Sequence, residues 1–176
     1  MASDTGLTQG GSRVLVFALG LLCAVALSLL APSIALAKTT LHFFQKQVSM
    51  TLVGPTGQPL SPTATPAVGD GFVVIDLDYV GTANHHAKAW SASDHLACTF
   101  TSITGPMSGT ATCNGQIAIG GSMLLAQNEN ISFSTSPTLV VPINGGTGKF
   151  RGARGQTKST SISHSNNSNF TITFST

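Results

Sequence analysis

Charge is scarce in this 176-residue chain: eight Lys and Arg, six Asp and Glu, and a formal net charge of +2. A polynucleotide or an anionic membrane surface is gripped by a dense basic face, so this composition excludes both as partners of the folded domain. Length leaves room for one domain and little for a second. After Lys38 no segment carries a 3.6-residue apolar period, which excludes a helical build and, with it, a phosphate-binding loop that needs a following helix. Histidines cluster at His85, His86 and His95 without a ligand-like spacing, and adjacent His85 and His86 would point to opposite faces of a strand. No metal and no cofactor are expected.

The apolar excess sits mostly at the N-terminus, where Arg13 precedes "VLVFALGLLCAVALSLL", Pro32 and "ALA" at Ala35 to Ala37. Residues 1–37 read as a secretory signal segment cleaved before Lys38, because only small side chains flank the cut. The apolar run is also near the length that spans a bilayer, so an uncleaved membrane anchor is the rival reading. Either way the domain at 38–176 is expected to be secreted or extracytoplasmic, touching a membrane only through that segment. Cys23 lies within the run, after "GLL" rather than a lipoprotein-type small-residue pattern. That leaves Cys98 and Cys113, an even pair read as a structural disulfide. Closing a loop of about 15 residues stabilises by roughly 3 kcal/mol in the chain-entropy model. A reactive thiolate is the other reading, with no neighbouring cation to support it. Three sequons, at Asn130, Asn166 and Asn169, matter only in a eukaryotic secretory pathway.

What is present beyond Lys38 is a series of β-rich segments cut by glycine, proline and asparagine. "TTLHFFQKQVSMTLV" stops at "GPTGQPLSPTATPAVGDG", a run that cannot continue a ladder. In "FVVIDLDYV", alternation puts Val73, Ile75, Leu77 and Tyr79 on one face, expected to meet the core, and Asp76 and Asp78 on the other. The segments "NHHAKAWSA", "LACTFTSI", "GTATCNGQIAI", "SMLLAQNENISF", "TLVVPI", "GQTKSTSIS" and "NFTITFS" follow. Short strands at this spacing predict an all-β fold, a closed barrel or a sandwich.

One stretch narrows the choice. "LVVPINGGTGKFRGARGQT" resembles the late hairpin of the allene oxide cyclase and dirigent superfamily of β-barrels. "GDGFVVIDLDYVG" resembles the family's strand with an acidic pair, "HLACTFTS" its next strand with a central cysteine, and "QIAIGGSMLLAQ" its following hairpin. The similarity runs from Gly69 to Thr157 and is nearest in style to the family's secreted bacterial branch. It implies a single antiparallel, calycin-like barrel of about eight strands, an interior that is either filled or holds one small ligand, and often a homotrimer. Gly145, Gly146 and Gly148 would then supply positive-φ turn positions, and Gly152 and Gly155 a bulge or coil where the barrel closes.

The resemblance implies a partner and a chemistry. Relatives hold a fatty-acid-derived or phenolic molecule and steer cyclisation or coupling by cavity shape and a few polar groups, without a cofactor. If this chain is an enzyme, it is expected to be a cofactor-independent isomerase or cyclase. Asp76 and Asp78 are the catalytic candidates, provided burial raises their pKa; two solvated aspartates are the plainer reading. Trp90, Arg151 and Arg154 are the ligand-contact candidates. The chain departs from the plant cyclases where they carry a first-strand glutamate, offering Gln45 and Gln47 instead, and its one glutamate is the distant Glu129. A structural or interaction barrel with a filled interior is the alternative. Inward volume separates the two: Ala87, Ala89, Ala118 and Gly120 facing in would leave a cavity, whereas Phe43, Phe72, Leu77 and Phe100 would fill it.

Overall fold

The structure is a computed structural model that describes residues 37–105 and 108–176. The signal segment assigned to 1–37, with Cys23, lies outside the described residues except for Ala37. Ten strand segments follow: β1 (Thr39–Val53), β2 (Gly71–Thr82), β3 (His85–His86), β4 (Ala92–Gly105), β5 (Ser108–Ile119), β6 (Ser122–Phe133), β7 (Thr138–Ile143), β8 (Gly145–Gly146), β9 (Arg154–Ser161) and β10 (Ser168–Ser175). Eight of them have six residues or more. β1 coincides with the β-former run that ends at the glycine and proline loop, as its composition predicts. The segment at 84–92 does not form the strand expected of it. Only His85 and His86 pair, folding back on Gly81 and Thr82, and the chain stays irregular until β4 begins at Ala92.

All pairings are antiparallel, in the order β7, β9, β10, β1, β2, β4, β5, β6, β8. The ends of this order meet, because β7 and β8 are consecutive along the chain. One stretch therefore pairs with β9 through Thr138–Ile143 and with β6 through Gly145 and Gly146, and the sheet closes into a barrel without free edges at that seam. Apart from the single 3-10 turn at Gly148–Phe150, no helix occurs among the described residues.

The glycine stretch at 144–155 is thus a closure device. Gly145 and Gly146 are strand residues rather than the positive-φ turn residues expected; Gly148 (φ 55°) and Gly152 (φ 81°) take that conformation. At Gly146 a Cβ would lie 2.2 Å from the Phe150 carbonyl oxygen, so the seam needs a residue without a side chain. Gly155 is an ordinary β9 residue packed against the Thr173 carbonyl. Asn144 is the clasp. Its Nδ2 donates to the Gln127 carbonyl and to Glu129 Oε1, both at 2.7 Å, while its Oδ1 accepts from the Gln127 amide at 3.0 Å. The Arg154 guanidinium donates to the Asn144 carbonyl. Replacing Asn144 by alanine is expected to cost about 2 kcal/mol in urea unfolding, since several side-chain hydrogen bonds go at once. A loss below about 0.5 kcal/mol would mean that backbone pairing alone holds the seam.

Inside, two apolar plugs occupy the ends. Phe43, Phe150, Phe170, Ile172 and Phe174 fill one, with the Phe150 and Phe174 rings edge-on at 5.4 Å. Phe100, Ile131 and the buried Cys98–Cys113 disulfide fill the other, where Phe72 and Phe133 pack against Phe100. The space between the plugs holds the site.

Candidate functional site

β2 turns its acidic face inward. Asp78 is 0% exposed and Asp76 is buried, whereas Ile75, expected in the core, is 41% exposed on the outside. The reversal has a simple cause: β2 is apolar on both parities at its start, so Phe72 and Val74 share the inward face with the two aspartates. Alternation alone could not choose the side. Asp78 and Asp76 face Gln45 and Gln47 of β1 across the ladder, and Asp76 stands directly opposite Asp94 of β4. Three carboxyls therefore meet on neighbouring strands inside the barrel.

Like charges directly opposed on a sheet destabilise it unless a proton intervenes. Burial pushes Asp78 up to about 7, and the charge of Asp76 adds to the shift. Burial also raises Asp94, with the charges of Asp78 and Asp76 contributing, and it raises Asp76 less because Asp94 hydrogen-bonds to it. Asp76 and Asp94 therefore titrate as a coupled pair, and a proton retained by the pair relieves the repulsion between them. Gln45 orients Asp94: its Nε2 donates to Asp94 Oδ2, and its Oε1 accepts from the Ser159 hydroxyl at 3.0 Å. Asp76 Oδ1 and both oxygens of Asp78 have no hydrogen-bond partner. Unpartnered buried oxygens are costly when charged, a cost that a retained proton reduces.

Asp76 and Asp94 open on a cavity of about 460 Å³. Gln45, Gln47, Thr157 and Ser159 continue its polar wall, and Phe72, Leu96, Leu124, Val141 and Phe170 form the apolar remainder. The cavity reaches the surface at the side of the barrel. β10 accompanies β1 only as far as Gln45, because the chain turns between Ser161 and Ser168, and β1 runs on unaccompanied on that flank. Met50, 55% exposed, stands at this mouth with Ser165 and Asn166 of the turn. The Gln47 amide donates to Asn167 Oδ1 at 3.3 Å and ties the turn to β1.

Not all the residues singled out from sequence gather here. Asp76 lines the cavity; Asp78 is packed behind it. Trp90 is 57% exposed in the irregular segment before β4, where strand parity has no meaning, and Arg151 and Arg154 are exposed beside the seam; none of the three lines the cavity. His86 stacks on Phe44 at 4.4 Å on the outer surface, and among the described residues no group of His, Cys, Asp and Glu is arranged to hold a metal ion. The expected source of inward volume was also mistaken. Ala87, Ala89, Ala118 and Gly120 are exposed and Leu77 points outward, yet the cavity exists although Phe43 and Phe100 are buried, because those rings belong to the two plugs. Asp94 is the residue that sequence reasoning missed. Its signal is parity: it lies four residues before Cys98 on one strand, so a buried Cys98 carries Asp94 inward with it.

No family model matches this sequence, and no curated protein does. Among solved structures, the chain is similar to a pyocyanin demethylase, with a TM-score of 0.58 and 18% identity over 78% of this chain and 100% of that one. A pterocarpan synthase dirigent protein gives a TM-score of 0.58 and 18% identity over 79% and 95%. A nonspecific heme-binding cyclase that catalyses a cycloaddition in neoabyssomicin biosynthesis gives 0.54 and 10% identity over 99% and 83%. At these identities the likeness is one of fold, and it establishes a dirigent-like barrel.

Proposed function

We propose that this chain is a secreted barrel that binds one apolar or aromatic small molecule in its central cavity and steers its cyclisation or coupling. The observation that carries the reading is the 460 Å³ cavity with two directly opposed carboxyls, Asp76 and Asp94, in its wall. Its volume falls in the range of small-molecule sites, and its mix of an apolar lining with a few convergent polar groups suits orientation of a ligand. Asp94 would donate a proton to oxygen as a ring or bond forms, Asp76 would accept one from the reacting carbon or hydroxyl, and the proton would then pass from Asp76 back to the opposed Asp94 to restore the starting state. The walls would hold the reactive conformer, a contribution that needs no cofactor. The dirigent protein and the cyclase among the structural neighbours support chemistry of this class.

A filled structural barrel is the weaker reading, since the phenylalanine plugs stop short of the centre. Secretion is part of the proposal, supported by the N-terminal segment and by the buried disulfide. Self-association, as a trimer, is supported by exposed apolar side chains on β1 and β2, Val48 and the outward-facing Ile75. A native mass spectrum of the purified protein, repeated after solvent extraction, tests the reading. The expected result is an adduct that extraction removes, on a trimeric mass. An unchanged apo mass, with no uptake from panels of unsaturated fatty acids and phenolics, would favour the filled barrel.

A further inference from the structure

The cavity wall is unbalanced in a way that specifies the ligand further. Around the carboxyl pair the neighbouring donors are spoken for: Gln45 Nε2 is committed to Asp94, the Ser159 hydroxyl to Gln45 and the Thr157 hydroxyl to the Val141 carbonyl, while the remaining amides and hydroxyls of the lining are neutral. Asp76 and Asp78 are more than nine-tenths buried, and Asp76 Oδ1 is unpartnered. All seven Lys and Arg side chains at positions 38 to 158 are exposed, and none lines the cavity. The groups facing the cluster are the other two carboxyls, Gln45 and Gln47 from β1, and Ser159 from β9. His95, next to Asp94, is exposed and alternates to the outer face of β4, where it borders the cavity. Buried carboxyls without a cation are costly, and a partner that brings both positive charge and N–H donors relieves that cost.

Resting on the binding reading above, we propose that the cavity's ligand is an amphiphilic organic cation, an aromatic or aliphatic body bearing one protonated nitrogen that seats against Asp76 and Asp94. The body would lie against Phe72, Leu124, Val141 and Phe170, and the ammonium would give its donors to the carboxyl pair, with Asp78 adding charge from behind. Among the described residues, no Lys or Arg lines the cavity or its mouth beside Met50 to repel such a ligand on entry.

Three probes of one shape test this: 1-naphthylmethylamine, 1-naphthalenemethanol and 1-naphthoate, titrated calorimetrically into the disulfide-bonded protein at pH 7.5. The expected result is that the amine binds at least about tenfold more tightly than the alcohol, that naphthoate does not bind, and that the amine displaces a proton from the cluster. Proton release is read from the dependence of binding heat on buffer ionisation enthalpy. In Asp76→Asn the ratio of amine to alcohol affinity should collapse toward one; if that variant fails to fold, the wild-type ratio and proton release still decide. Binding of the alcohol as tight as the amine, or of naphthoate in preference to both, would overturn the cationic ligand while leaving a small-molecule cavity in place. Binding of none of the three would overturn both readings.

Discussion

Stability should fall as the pH is raised from about 4 to 8, and Asp78→Asn should remove a large part of that fall. Asp78 has no hydrogen-bond partner and no exposure, and burial raises its pKa from 3.8 to about 7. The folded state therefore holds a proton that the unfolded chain has already released above pH 4. The sign follows: the contribution is fully present below the unfolded value and is lost as the pH climbs through the folded one. By pH 8 this one group would have cost about 4 kcal/mol, on the order of 10 °C in Tm for a domain of this size. Asp76 and Asp94, raised by the same burial, act in the same direction. An asparagine at 78 keeps the shape and stays neutral, so mutant and wild type should lie closest below about pH 4, and the gap between them should widen with pH until it levels off above about 7. Thermal melts at half-unit intervals check this. A gap that is constant across the range would mean that Asp78 does not carry a proton in the fold.

The same carboxyl cluster marks how far the sequence could be read. Glycine and proline punctuation, together with the match of composition to β1, placed the strands and the barrel class, because turn chemistry and β-propensity are local properties. The sidedness of β2 was not legible. "FVVIDLDYV" has apolar residues on both parities, and the choice between them is made by what β1 and β4 place opposite, namely Gln45, Gln47 and Asp94, which lie far away in sequence. Closure shows the same limit. That 144–155 was glycine-rich for structural reasons is visible in its composition. That Gly145 and Gly146 pair with Leu125 and Leu124, while Asn144 binds Glu129, depends on a seam between strands that only the closed sheet brings together. Trp90 failed as a candidate for a related reason. Its assignment assumed a strand through 84–92, and the fold-back of His85 on Thr82 ends that strand after two residues.

The disulfide, in contrast, was legible as a pair, and its removal carries the second large effect. Cys98 and Cys113 are direct cross-strand partners in the β4–β5 ladder, both buried on the inward face. The bond closes a loop of 15 residues in the unfolded chain, worth about 3 kcal/mol in the entropy model. Its sulfurs also pack within the apolar plug formed with Phe100, Ala111 and Ile131. The double variant Cys98→Ala, Cys113→Ala is therefore expected to lose about 3 kcal/mol in denaturant unfolding, through a lower midpoint rather than through a changed cavity. Neither cysteine lines the 460 Å³ space, so the affinity for 1-naphthylmethylamine should hold in the variant as long as it is folded. Burial of both sulfurs further implies that a thiol reductant acts only when the barrel opens, and reduction should accelerate steeply with added denaturant. Rapid reduction in native buffer would contradict the buried plug. A loss of stability below about 1 kcal/mol would show instead that the β4–β5 hairpin persists in the denatured chain and that the cross-link has little entropy left to remove.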